Sequence, residues 1–418
     1  VESSVKSEQV NFCRRMRRWF YQRAARLLML LHNALLVAAG FIGSRPRSRS
    51  KVEGREILLT GRFDSDNWII SHLQPLAASK LCSRVRMVST NPVPPLAKVE
   101  AIYPPKWLVR LFGSTPARLL VFAWSALRMR PDIVGGFHLL PNGFASVILA
   151  RLVGAKSLYI CTGGPVELIG GGVWGEGGMF NRMGTPDSVV ERRLLRAVSA
   201  CNLIVTMGAR AMKFFMSKGI SANFHVISGG IDAEIFKPAE FEPCHDLIFI
   251  GRLVEIKRID LFLRVVKQVM RVLPTVNAVV VGDGPLREEL ERMAHDLQIN
   301  NCVKFVGYQK NVSDWLQRSK IFVLTSRSEG LSLAMMEAMM CGLPAVVSHV
   351  GDLDELVKEG VNGYLVVNQA PQEFAERIVE LLTNSWKYEI FSRNAHNAAL
   401  HYRIETAAKK WDEILSNP

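Results

Sequence analysis

IFVLTSRSEGLSLAMMEAMMCGLPAVV, residues 321–347, holds a complete strand, helix and strand in succession. Residues 321–324 of the expected strand 321–325 are apolar without alternation, as a strand covered on both faces of a parallel sheet should be. Ser332 is placed to cap a helix, and Gly342 with Pro344 ends it. A second apolar run follows at 344–347, and two strands joined through a helix lie parallel. Between the caps, Leu333, Ala334, Met335, Met336, Ala338, Met339 and Met340 are apolar around the whole circumference, which predicts a helix buried on all sides. Glu337 is then a carboxylate inside an apolar helix. It needs either a basic neighbour or a ligand hydroxyl, because an unpartnered buried carboxylate costs several kcal/mol.

Upstream, strands are expected at 246–250, 277–281 and 303–306, with helices between them. A similar series precedes a Pro-marked connection at 236–243. Its strands are expected at 56–60, 132–136, 157–161 and 203–207, and its helices at 69–81 and 189–200. Alternation of this kind predicts an α/β fold with two Rossmann-like, doubly wound parallel sheets. The 418 residues suit that number of domains. We expect a tail over 1–54, an N-terminal Rossmann-like domain over 55–238, a C-terminal Rossmann-like domain over 239–395 and a helix over 396–418 that crosses back to the first domain.

The chain is 49% hydrophobic and 22% charged, which excludes a disordered class, and its formal net charge is +14. Residues 1–55 carry +9 of that charge and the remainder +5. The basic excess is therefore a property of the tail. There an arginine-rich segment, 13–26, is continuous with LLMLLHNALLVAAGFIG, 27–43, and a second basic cluster follows at 45–51. Seventeen mostly apolar residues fall short of the roughly 20 needed to span a bilayer. The expectation is a basic amphipathic helix lying on an anionic leaflet, anchored by Trp19, Phe20 and Tyr21. A membrane span, a signal peptide and a helix packed on the protein are the alternatives. Basic sequence continuous with apolar sequence argues against nucleic acid as a partner. The seven scattered cysteines form no C-x-x-C pair and argue against a disulfide framework or zinc site. A cytoplasmic location, peripheral on the cytoplasmic face of a membrane, fits best.

The unusual residues of the second half gather at the carboxyl ends of the expected strands, where doubly wound sheets bind ligands. They are Gly251 and Arg252, Gly282 to Gly284, Gly307, and Ser326 to Gly330. In GRLVEIKR, 251–258, Arg252 and Lys257 are two cations near a helix N-terminus, which suggests a diphosphate clamp. The G-x-G at Gly282 and Gly284 is a weak signal. No G-x-G-x-x-G or G-x-x-x-x-G-K-[ST] accompanies it, so a dehydrogenase or P-loop NTPase is poorly supported.

Glu329 and Glu337, an E-x7-E pair, stand between GRLVEIKR with VVGDGPLREEL and CGLPAVVSHVGDLDELVKEGVNGYLV. Together these segments resemble the retaining glycosyltransferases of family 4, whose GT-B fold sets two Rossmann-like domains facing a cleft. The resemblance runs from about 226 to 367. It implies that Glu329 contacts the donor sugar and Glu337 the ribose, that Arg252 and Lys257 hold the diphosphate, and that the amides of Gly330 and Leu331 meet sugar and phosphate. Gly282 would line the same donor site. One departure is Arg258, where the family usually has Gly after the Lys.

The resemblance is looser in the first half. It suggests Gly61 for a donor phosphate contact, although TGRFDSDNW, 60–68, lacks the usual Gly pair. His138 is either a polar contact at the reaction centre or a structural histidine. The glycine-rich 163–178, GGPVELIGGGVWGEGG, is expected to be an acceptor loop, with Gly163, Gly164, Glu167 and Glu176 as candidates. No metal or other cofactor is required, and retention of configuration follows from the resemblance alone. The expected reaction moves a sugar from a nucleotide-diphosphate sugar, UDP favoured over GDP, to a lipid-linked or cell-envelope polysaccharide acceptor. A nucleotide-sugar epimerase and a non-catalytic nucleotide-binding subunit are the alternatives.

Overall fold

The structure is a computed structural model and describes residues 2–43, 54–63, 65–174, 180–240 and 242–418, with side chains from Arg15 onward. The chain divides into two compact units, residues 1–227 with 408–418, and residues 228–407. The division thus falls at Ile227/Ser228 rather than 238, and the chain re-enters the first unit at Ala408 rather than 396.

In the first unit α1 (Glu2–Ile42) is followed by β1 (Arg55–Thr60), α2 (Asp66–Ala78), β2 (Cys82–Val88), β3 (Val99–Ile102), α3 (Lys106–Phe112), α4 (Ser114–Met129) and β4 (Ile133–Phe137). Then come α5 (Phe144–Val153), β5 (Lys156–Cys161), α6 (Ser188–Ser199), β6 (Leu203–Thr206), α7 (Ala209–Ser217) and β7 (Asn223–Val226). The seven strands form one parallel sheet in the order β3-β2-β1-β4-β5-β6-β7. Its direction of winding reverses between β1 and β4.

The second unit contains β8 (His245–Ile250), α8 (Ile259–Val272), β9 (Ala278–Val281), α9 (Arg287–Asp296), β10 (Val303–Gly307), α10 (Val312–Gln317), β11 (Ser319–Leu324), α11 (Leu333–Met340) and β12 (Ala345–Ser348). It continues with β13 (Gly363–Val366), α12 (Pro371–Thr383), α13 (Ser385–Ala399) and the start of α14 (Ile404–Ser416). Its parallel sheet runs β10-β9-β8-β11-β12-β13 and reverses between β8 and β11. As the continuous apolar runs require, Leu247 to Phe249, β9, Ile321 to Leu324 and β12 are almost wholly buried, and so is most of α11.

The expected tail is structured differently. Its helix is 41 residues long, and residues 15–42 are long and apolar enough to cross a membrane by length and composition. Ala25, Met29, His32, Leu36 and Ala39 form a buried stripe at helical spacing, packed against α5 and α6. His32, an apparent interruption of the apolar run, stacks on Phe144 at 3.9 Å between ring centroids. So α1 belongs to the core of the first unit, while Leu27, Leu31, Leu35 and Phe41 on its other side remain exposed. At the far end of the chain, α14 returns Trp411, Ile414 and Leu415 to the interior, and Asp412 Oδ1 accepts from Ser79 Oγ at 2.6 Å.

Candidate functional site

In the second unit the reversal between β8 and β11 places the ends of those strands side by side, the position where open α/β sheets take ligands. Gly251 and Arg252 leave β8, and Thr325 and Ser326 leave β11. Lys257, on the short turn before α8, donates from Nζ to Glu329 Oε1 at 2.7 Å. Ser326 Oγ donates to the same oxygen at 2.5 Å. Both side chains of the ion pair are largely buried, 23% exposed for Lys257 and 9% for Glu329. In a pair so enclosed, removing one partner leaves the other charge uncompensated. Thr325 Oγ1 donates to the Arg258 carbonyl at 2.8 Å and Gln369 Nε2 to the Ser326 carbonyl at 3.2 Å, which ties the two loops together.

Backbone packing sets the position of Glu329. A Cβ on Gly351 would lie 2.0 Å from the Glu329 carbonyl oxygen, and Gly351 itself has φ +58°. The next amide, Asp352 N, donates to the Gly330 carbonyl at 3.2 Å. Only glycine lets the loop after β12 press on Glu329 and Gly330 this closely. Gly282 serves similarly between β8 and β9, since a Cβ there would meet the Gly251 carbonyl at 1.9 Å. The weak G-x-G signal therefore has a steric origin in loop contact.

Beyond Gly330 and the buried Leu331, Ser332 Oγ accepts from Met335 N at 3.4 Å and caps α11. Glu337 is 4% exposed within that helix. Burial, and then the Glu337 carboxylate, push the Cys341 thiol well above its ordinary range. Arg252 is solvent-exposed beside the same strand end. The second unit thus brings Arg252, Lys257, Glu329, Gly330, Leu331 and Gly282 to the ends of β8, β9 and β11, with Glu337 in the helix that follows. Arg258, where glycine is usual in the resembled family, has φ 52° and ψ 47°. The left-handed turn is kept, and the guanidinium forks onto Asp260 at 2.9 and 3.1 Å.

In the first unit the equivalent reversal lies between β1 and β4. His138 follows β4 with φ 60° and ψ 147°, a conformation that costs an L-residue about 1–3 kcal/mol and must be imposed by its surroundings. Glu167 supplies much of that constraint. Its Oε1 lies 3.0 Å from His138 Nδ1 and accepts from Gly163 N at 2.7 Å, and its Oε2 accepts from Leu139 N and Tyr159 Oη, both at 2.9 Å. Burial alone would raise the Glu167 carboxyl, but the imidazole and these donors outweigh it and hold the group below its ordinary value. The carboxylate expected to bind an acceptor hydroxyl is instead turned onto the protein, where it fixes a histidine whose side chain is 45% exposed. Gly163 belongs to the same knot, and Gly164 follows it with φ +71°. Glu176 lies outside the described residues.

Beneath His138 the support is polar and buried. Arg118, 3% exposed, donates from Nη1 to Thr60 Oγ1 at 2.6 Å and to Asn142 Oδ1 at 2.8 Å, while Asn142 Nδ2 holds the Phe137 carbonyl at 2.6 Å. Burial lowers the Arg118 guanidinium to about 10. His72 stacks on Trp68 at 4.0 Å and is pushed down to about 4 by burial. Gly61 packs against aromatic carbon, since a Cβ there would lie 3.0 Å from Phe63 and 3.1 Å from Phe137. Sequence reasoning missed Gly351, Arg118 and His72, and it placed Thr325 and Ser326 at a strand end without giving either a role. Of these, the Thr-Ser pair directly after a strand was the most legible signal.

Residues 231–398, all within the second unit, match the family described as Glycosyl transferases group 1. The chain is 37% identical over 116 residues to the Vi polysaccharide biosynthesis protein VipC/TviE of Salmonella typhi, covering 27% of this chain and 20% of that protein. It is 29% identical over 183 residues to the poly(ribitol-phosphate) alpha-N-acetylglucosaminyltransferase of Staphylococcus aureus, covering 43% and 37%. The chain spans between 20% and 62% of the length of the first curated relatives it matches. Among solved structures, Anabaena Alr3699/HepE in complex with UDP-glucose superposes with a TM-score of 0.68 at 19% identity, over 87% of this chain and 100% of that one. The second unit carries a glycosyl transferases group 1 domain, and the two parallel-sheet units make up a GT-B fold.

Proposed function

We propose that the chain is a retaining glycosyltransferase of the family 4 type. It transfers a sugar from a nucleotide-diphosphate sugar, UDP favoured over GDP, to a lipid-linked or cell-envelope polysaccharide acceptor. The observation that carries this reading is the buried Lys257 and Glu329 pair at the reversal of the second sheet, directly before the cap of α11. The relatives support it: the Staphylococcus protein is described as an N-acetylglucosaminyltransferase acting on poly(ribitol-phosphate), and the Anabaena structure holds UDP-glucose.

In this scheme Lys257 and Arg252 neutralise the charge that grows on the diphosphate as the glycosidic bond breaks, assisted by the amides of Gly330 and Leu331 at the start of α11. Lys257 has further ammonium donors to offer a phosphate while it keeps Glu329. Glu329, fixed by Ser326 and Lys257, accepts from a sugar hydroxyl, and Glu337 accepts from the ribose. His138, held by Glu167, is the polar group offered from the first unit. Attack on the same face of the sugar, with the leaving phosphate taking the acceptor proton, retains the configuration. These residues carry the leaving group's charge by themselves, so the reading is metal-independent. The outer side of α1 lies on an anionic membrane, on its cytoplasmic face in this reading, where a lipid-linked acceptor would be met.

The test is donor turnover with a panel of UDP, GDP and ADP sugars, preceded by a thermal-shift screen of the same compounds. Loss of transfer in Lys257→Ala and Glu337→Ala, measured at a temperature where each variant is still folded, supports the site. Full activity in either variant would sink it. Release of an altered sugar without acceptor, or nucleotide binding with no turnover, would replace the reading by an epimerase or a binding subunit.

A further inference from the structure

α3 and α4 of the first unit leave a large apolar surface uncovered. No residue of α3 is buried, and Trp107, Leu111 and Phe112 are 64%, 67% and 52% exposed. On α4, Leu120, Trp124 and Leu127 recur at helical spacing on the side opposite Phe122 and Ala126, and each is at least half exposed. Soluble surfaces rarely gather so many large apolar side chains without an occupant. Lys106, Arg110, Arg128 and Arg130 are interleaved with them and exposed, and Arg128 sits over the Trp124 ring at 5.5 Å. No Asp or Glu occurs anywhere from 101 to 131.

The location of this surface points the same way. α4 and α5 connect strands that advance in one direction along the sheet, so right-handed crossovers place both on one face. α3 packs on α4, α4 on α5, and α5 on α1. The exposed sides of α1, α3 and α4 therefore belong to one flank of the first unit. The outer side of α1 has the same chemistry: Trp19, Leu27, Leu31 and Phe41 are exposed, Arg23 lies 5.5 Å from the Trp19 ring, and no Asp or Glu occurs from 9 to 52.

From this placement we infer that α3 and α4 are a second membrane-contacting element, which rests with α1 on the surface of an anionic bilayer. The inference builds on the reading of α1 as a membrane-surface helix. Tryptophan and basic side chains around aliphatic ones suit the headgroup boundary, where the rings and stems sink and the charges meet anionic lipid. A second copy of the chain is a poor occupant, because it would set one carboxylate-free basic surface against another.

Co-sedimentation of the full chain with vesicles of phosphatidylglycerol and phosphatidylcholine, and of phosphatidylcholine alone, tests this. The unmodified chain is expected to prefer the anionic vesicles and to be released by salt. W107S/F112S/W124S should bind at least about tenfold more weakly, and K106E/R110E/R128E should lose the preference for anionic lipid. Both should melt like the parent, since these side chains are exposed. Brominated lipids should quench tryptophan emission less in W107F/W124F than in the parent. If the α3 and α4 variants bind like the parent while L31S/L35S on α1 does not, this inference fails and the reading of α1 stands. No binding by the unmodified chain overturns both. A variant that changes self-association in the absence of lipid, with vesicle binding intact, identifies the occupant as a second copy and also overturns it.

Discussion

Lys257 and Glu329 hold each other at 2.7 Å with Ser326 on the same oxygen, so their roles separate by choice of substitution. Glu329→Gln keeps a side-chain carbonyl for both donors and should lower stability by only about 1 kcal/mol. Its transfer rate should nevertheless fall by about two orders of magnitude, as when a positioned polar group is lost from a reacting centre. Lys257→Ala should cost both rate and stability, because it strands a nearly buried carboxylate. Initial rates and urea midpoints measure the two effects, and equal rates in parent and Glu329→Gln would remove Glu329 from the chemistry. A pH argument applies to His72. Its value is about 4 in the fold against 6.5 ordinarily, so between those values the unfolded chain takes up a proton that the folded chain refuses. Stability is therefore full above pH 6.5 and declines as pH falls, by about 3 kcal/mol at pH 4. Glu167, held below its ordinary 4.5, adds a loss only as pH drops beneath that value and through its folded one. Urea midpoints taken from pH 7 to 5 should show a slope that disappears in His72→Phe. A slope unchanged in that variant would refute the assignment.

The loops that hold these side chains have their own sensitivities. Gly351→Ala drives a Cβ to 2.0 Å of the Glu329 carbonyl and forces a positive φ on alanine, so about 1–3 kcal/mol of stability should go along with turnover. Arg258→Gly should be close to neutral, because relief of a left-handed arginine, about 1 kcal/mol, is offset by loss of the fork to Asp260. Arg258→Val, with neither advantage, should destabilise, and denaturant midpoints of the three variants order these effects. The same packing explains what was legible in advance. β9 is an unbroken apolar strand and β12 is apolar up to Ser348, both between two layers of helix, so composition alone located them. β2 escaped because Arg84 and Arg86 break its pattern, and their reason for being there, the carboxylates of Glu56 and Glu100 on neighbouring strands, is tertiary. α1 was read as a tail because its arginine-rich segment runs straight into a stretch of apolar residues. Which of them face α5 cannot be known before α5 is placed. Glu167 was identified as important, but its four partners come from three separate segments, and only the fold shows that they use up its oxygens.

Two separately compact units, each with its own parallel sheet and core, predict two unfolding steps that a ligand of one unit should separate. The proposed nucleotide contacts, Arg252, Lys257, Glu329, Gly330, Leu331 and Glu337, all lie in residues 228–407. Saturating UDP at about 100 times its dissociation constant should stabilise that unit by about 2.7 kcal/mol, and the other only through whatever energy couples them. Calorimetry should therefore show the transition of the second unit moving up with UDP concentration while that of the first stays nearly fixed. Hydrogen exchange assigns the transitions, because protection by UDP should concentrate in 251–258 and 329–340 and be weak in 55–161. His138 belongs to the first unit and is proposed to meet the sugar, so a nucleotide sugar should add protection near 137–143 and 162–168 that UDP alone does not. Identical protection by UDP and by its sugar conjugate would remove His138 from the donor side of the reaction and leave the second unit as a complete nucleotide site.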